Sequence, residues 1–235
     1  HHFWVIYDRD VNNRIEELFR EKVPYTYVAD GHHRTAAAAL VGKEKREKNP
    51  GYTGEEEFNY FMAVHFPDDQ LEIIDYNRLV KDLNGNTPGE FVEKLRDSFT
   101  ITEMGHDIYN PDKLHVFSMY LDGTWYKLEA KDDVYDDNDP IGVLDVTILT
   151  KQVLSPLLDI QDLRRSKRIE FVGGIRGLGA LSQRVDSGEM KVAFALYPVS
   201  MKQLINIADT GNIMPPKTTW FEPKLRSGLA IPLLD

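Results

Sequence analysis

Short apolar runs rich in β-branched and aromatic residues alternate along this chain with stretches of helical period, and that alternation constrains the fold more than any other feature. Residues 3–7 read as a strand, and Ile15, Leu18 and Phe19 then recur at helical spacing behind Asp10 as a cap. After Pro24 a second strand is expected over 25–29. It runs into Gly31, and the alanine-rich stretch 35–40 continues as a helix toward Lys48. Asn49-Pro50-Gly51 and Gly54 break the chain ahead of a further strand at 58–66. A helix over 88–99 carries Phe91, Leu95 and Phe99 on one stripe. Residues 114–120 and 124–128 flank Asp122-Gly123, a hairpin signal because glycine tolerates the positive φ of a tight turn. Beyond it follow a helix at 144–158, a strand at 169–172, a helix at 178–185, a strand at 192–197 and a helix at 201–208. The expected class is α/β in the mixed α+β sense: a mixed sheet with flanking helices and a β-hairpin.

A chain of 235 residues with 42% hydrophobic and 11% aromatic content can bury a substantial core. It suits either one domain or two closely packed lobes, about 1–110 and 111–235. No apolar run approaches the roughly 18 to 20 residues of a bilayer span, and no signal peptide opens the chain, so a cytoplasmic protein without a membrane partner is expected. Cysteine is absent, which excludes disulfides, thiolate metal sites and a cysteine nucleophile. The net charge of −10 disfavours a nucleic-acid partner, since duplex affinity rests on Lys and Arg neutralising phosphates. Charge is uneven, with an acidic loop at Asp132, Asp133, Asp136, Asp137 and Asp139 and a basic cluster at Arg164, Arg165, Lys167, Arg168 and Arg176. Solvated surface accounts for both. The first apolar run begins almost at once and no initiator Met stands before it, so further sequence is expected upstream.

Three stretches concentrate chemistry. In the turn Asp30-Gly31-His32-His33-Arg34-Thr35, glycine and basic side chains stand between an apolar run and a helix. The first turn of a helix offers unpaired N–H groups and a partial positive charge, which stabilise a phosphate. Gly31 allows close approach, Arg34 can pair with phosphate oxygens, and His32 or His33 can donate a proton or hydrogen bond. Asp30 is the candidate for accepting a proton or holding a metal ion. The plain alternative is that Asp30 caps the helix and the histidines lie half exposed. The second junction, Gly173-Gly174-Ile175-Arg176-Gly177, follows the same logic with Gly174 and Arg176 toward phosphate, and is neither a Walker loop nor a dinucleotide fingerprint. Tight packing of the turn is its alternative. The third is the tail 214–228, where three prolines predict an ordered, non-helical loop bearing Lys217, Thr218, Thr219, Lys224 and Arg226. Histidine spacing offers no metal pair, so structural zinc is not expected, nor is haem or flavin.

At these residues the chain resembles a bacterial domain-of-unknown-function family, family 1015. The resemblance rests on Phe3-Trp4-Val5-Ile6, on Ala29-Asp30-Gly31-His32-His33-Arg34, on Leu144-Asp145-Val146, on the run from Phe171 to Gly177, and most specifically on the tail from Met214 to Leu229. Members of that family are longer, which implies that this chain corresponds to their C-terminal part. The Asp-Gly-His-His-Arg turn also resembles that of the free L-serine kinases of the ParB/sulfiredoxin-like superfamily. Sulfiredoxin has a nucleophilic cysteine where this chain has His32, and the ParB turn reads Gly-Glu-Arg-Arg, so neither of those activities carries over. The kinase resemblance implies a nucleotide-dependent small-molecule kinase, using Mg²⁺ with ATP or ADP and a small hydroxylated acceptor such as free L-serine. On that reading Asp30, His32 and His33 are catalytic, and Gly31, Arg34, Thr35, Gly174, Arg176, Lys217, Thr218 and Arg226 bind phosphate. Comparable kinases have a glutamate base ahead of the turn, and here that base is expected to lie upstream. The alternative from another class is a regulatory module that binds nucleotide without chemistry. Oligomeric state is not legible in the sequence.

Overall fold

A computed structural model of the chain describes residues 2–226 and 228–231, and it divides into two compact units. One takes the residues through Ala63 together with Ala230 and Ile231; the other is Val64–Leu229. The division falls well before the boundary expected near residue 110, which lies inside the second unit.

The first unit carries two long helices, α1 (Arg9–Lys22) and α2 (His32–Lys48). Asp8 rather than Asp10 caps α1, its Oδ1 accepting from the N–H groups of Asp10 and Val11 at 2.9 and 3.1 Å. The runs 3–7, 25–29 and 58–66, read as strands from composition, pair with nothing as strands among the described residues. β-branched and aromatic content favours a pleated surface, but a strand exists only where a second strand takes up its backbone groups. These runs are accordingly exposed: Trp4 is 83% and Tyr25 77% accessible, and Gly42 is the one buried residue described in the unit.

The second unit holds the core. Its order is β1 (Glu72–Ile74), β2 (Tyr76–Val80), α3 (Pro88–Leu95), β3 (Phe99–Gly105), β4 (Val116–Leu121), β5 (Thr124–Ala130), α4 (Asp145–Leu149), β6 (Ile169–Gly173), α5 (Gly179–Asp186), β7 (Val192–Leu196), α6 (Met201–Asp209) and β8 (Trp220–Glu222). Six strands form one sheet in the order β3-β5-β4-β7-β2-β6, and β1 pairs with β8 in a second, small sheet. Every pairing is antiparallel, where a mixed sheet was expected. The class remains mixed α+β.

The β4–β5 turn is as read: Asp122 and Gly123 have φ of 50° and 81°, the pair of positive values that a two-residue type I′ hairpin requires. Alternation then sorts side chains to two faces. Phe117, Met119 and Leu121 join Phe194, Leu196, Phe91 and Ile148 in the larger core, whereas Tyr120, Ala193, Ala195 and Leu79 meet Leu181 and Val185 of α5 on the other face. The helix expected over 144–158 is α4 followed by a wider π turn, Thr150–Leu154, and Ser155 beyond it keeps helical φ and ψ of −76° and −55°, with Leu157 and Leu158 N–H still donating to the Val153 carbonyl. Phe99, read as the last member of a helical stripe, opens β3 instead.

Candidate functional site

The turn at residue 30 is built by its glycine. Gly31 is the N-cap of α2 with φ 81°, and no side chain caps the helix. Asp30 does not take that role: its Oδ1 accepts from the N–H of Gly31 at 2.7 Å. Having no side chain, Gly31 caps none of the first N–H groups of α2, while its carbonyl accepts from Thr35 N–H at 2.9 Å. Arg34 folds back against Gly31; a Cβ there would stand 3.0 Å from Nη2 and 3.1 Å from Nε of Arg34. The missing side chain of residue 31 is thus what lets the guanidinium lie beside the start of the helix. His32, His33 and Arg34 are exposed. One carboxylate, a guanidinium, two imidazoles and an uncapped helix start make a surface suited to an oxyanion.

The two remaining candidate stretches meet each other in the second unit. The Trp220 ring lies over Gly173, where a Cβ would approach it to 2.9 Å, and Gly174 leaves room for Asp75, whose Oδ1 a Cβ would meet at 1.7 Å. The Gly174 N–H donates to the Asp75 carbonyl at 2.8 Å. Close packing thus explains both glycines. Lys217 is exposed, with Nζ 5.8 Å from the Tyr76 ring centroid, and Lys224 stands 5.2 Å over Trp220. Thr218 is buried and its hydroxyl donates to the Pro215 carbonyl at 2.7 Å, which occupies it within its own loop. Arg176 and Arg226 are exposed. The tail is not wholly loop, since Trp220–Glu222 forms β8 against β1.

Two residues of interest escaped the sequence reading, and a third, Asp145, entered it only within the Leu144-Asp145-Val146 motif and with no role assigned. Arg78 of β2 is 1% exposed and donates to the main-chain carbonyls of Tyr76 and, at 2.8 Å, of Lys217. Burial lowers its pKa to about 10. No local signal sets Arg78 apart, because the stretch 71–80 also holds Glu72, Asp75 and Asn77. Asp75 is half-buried, and desolvation raises its pKa against the hydrogen bond it accepts from Asn77. Asp145 is buried at the start of α4: its Oδ1 accepts from the His115 N–H at 2.9 Å and lies 3.2 Å from Nδ1, while Oδ2 has no partner among the described residues. His115 has a φ of 66° and stacks on Tyr135 with ring centroids 3.9 Å apart. Desolvation raises the Asp145 pKa, with His115 acting the other way.

Among solved structures the chain is similar to a free serine kinase mutant in complex with AMP, at 14% identity, covering 94% of this chain and 82% of that one, with a TM-score of 0.43. It is also similar to a conserved hypothetical protein from Pyrococcus furiosus, at 15% identity over 92% and 84% of the two chains, with a TM-score of 0.42. No curated protein matches. No helix among the described residues is long and apolar enough to cross a membrane. A family model matches residues 1–147, which takes in the Asp30 turn and the Leu144-Asp145-Val146 motif and leaves out the tail. With more than half of its length so matched, the chain belongs to the family described as protein of unknown function, DUF1015.

Proposed function

We propose that the Asp30 turn binds the phosphates of ATP or ADP and that the protein is a nucleotide-dependent kinase for a small hydroxylated metabolite, with free L-serine as the first candidate. The carrying observation is the start of α2, which has no side-chain cap and has Arg34 held beside Gly31. N–H groups in the first turn and the guanidinium then supply hydrogen bonds and positive charge to one phosphate. Thr35 adds a hydroxyl. His32 and His33 stand beside it as donors or proton carriers, and Asp30 is the carboxylate for the acceptor proton or for Mg²⁺. Among the described residues no three His, Asp or Glu side chains gather into a metal cage. A Mg²⁺ carried in by the phosphates needs only one or two protein carboxylates. Bound with the nucleotide, Mg²⁺ neutralises phosphate charge.

The test is calorimetry with Mg·ATP and Mg·ADP, followed by detection of phosphoserine. Arg34→Ala is expected to weaken nucleotide binding by about 1.5–3 kcal/mol, the range for a hydrogen bond to a charged group, with circular dichroism unchanged. Equal affinity in the variant removes Arg34 from the site. Saturable binding without product favours the regulatory module, and no binding by wild-type protein overturns both readings.

A further inference from the structure

Among the described residues Arg78 is the one buried cation, and no carboxylate pairs with it. Its neighbours across the sheet are Phe171 on β6 and Phe194 on β7, and its guanidinium carbon lies 5.4 Å from the Phe171 ring centroid. A guanidinium has five N–H donors, and this one meets two carbonyls. Even with its pKa lowered to about 10 it is charged at neutral pH. A buried charge without a counter-ion is unfavourable, and carbonyl dipoles offset only part of that. Carbonyl dipoles and a ring face thus surround this charge, with no counter-ion among the described residues. Lys217 supplies the second cation: the Arg78 guanidinium holds its carbonyl, and its Nζ stands over Tyr76, two residues from Arg78 on the same strand face. Tyr76 in turn packs on Phe171 and Trp220, at 5.9 and 5.6 Å between ring centroids.

We infer that Arg78 and Lys217 form the base of a phosphoryl-anion site, walled by Tyr76, Phe171 and Trp220. The apolar wall excludes water, which strengthens the attraction between guanidinium and oxyanion. The exposed Lys217 segment is the way in, and a phosphate oxygen takes the place of the Lys217 carbonyl on the guanidinium. Arginine suits this better than lysine because its planar fork can bind two oxygens at once. This site stands on the second unit alone and does not rest on the nucleotide reading, so its anion response persists in an Arg34→Ala protein.

Thermal unfolding in inorganic phosphate is compared with chloride at equal ionic strength, and a second arm uses O-phosphoserine as a phosphate monoester. Wild-type protein is expected to gain Tm specifically in phosphoryl anions. A response to both probes identifies the phosphoryl group itself as the ligand, and a response to the monoester alone identifies a phosphorylated metabolite. Arg78→Met keeps much of the side-chain volume without the charge, and it abolishes the gain. Lys217→Met requires at least about tenfold more phosphate for the same shift, a loss of about 1.4 kcal/mol in binding. If Arg78 serves only to pin the tail, Arg78→Met lowers Tm equally in phosphate and chloride, and the inference is wrong. A wild-type Tm indifferent to both anions also overturns it. Should Arg78→Met fail to fold, the exposed Lys217 decides, and an unchanged phosphate response in Lys217→Met sinks the site.

Discussion

Asp145 shows how much one buried side chain can do. Its Oδ1 serves the His115 N–H and lies beside Nδ1, which holds the start of β4 against the start of α4 and supports a left-handed backbone at His115. Removing it leaves a buried N–H without a partner, so Asp145→Ala is expected to lower stability by about 1–3 kcal/mol in urea unfolding. Asp145→Asn keeps an acceptor for the N–H and removes the titration. Because burial raises the Asp145 pKa, the folded state keeps its proton after the unfolded state has lost it. Stability from this group is greatest below the ordinary carboxylate value of about 3.9 and falls as pH rises from there through the raised folded value. The difference in unfolding free energy between wild type and Asp145→Asn should therefore change across that window and be flat above it. A difference constant with pH would show that Asp145 has the same pKa in the folded and unfolded states.

Elements differ in how they begin. Thr87 and Glu90 form a capping box on α3: the Thr87 hydroxyl accepts from the Glu90 N–H at 3.3 Å, and Glu90 Oε2 accepts from the Thr87 N–H at 2.8 Å. Ser200 and Gln203 repeat it on α6. Both helices thus have their first N–H groups taken up by the chain itself, and both pack on the core through Phe91, Leu95 and Ile207. Thr87→Ala and Ser200→Ala are each expected to cost about 1 kcal/mol, read from the denaturation midpoint at constant slope. Helix α2 begins instead on Gly31, which has no side chain to cap it.

Across the whole molecule, burial is concentrated in one unit. The buried apolar residues lie in Val64–Leu229, on both faces of the six-stranded sheet, whereas the described part of the first unit buries Gly42. Local opening is governed by how many buried contacts must be broken. In hydrogen exchange followed by mass spectrometry, the slowest amides are expected in β2, β4 and β7, with peptides from residues 2–63 exchanging well before them. Equal protection of α1 and β7 would contradict that distribution. From the sequence by itself one reads the α+β class, the Asp122-Gly123 hairpin, the helix at Pro88 and the glycine turn that opens a helix after residue 31, because turn φ, caps and hydrophobic period are set by neighbours a few residues away. Tertiary structure alone decided the rest. The runs 3–7, 25–29 and 58–66 have the composition of strands and no strand partner among the described residues, while Trp220–Glu222 became a strand because β1 was there to receive it. Arg78 reaches the Lys217 carbonyl 139 residues away, and Asp145 reaches His115 across 30. Pairing and burial depend on which distant segment arrives alongside, and no local rule of spacing contains that information.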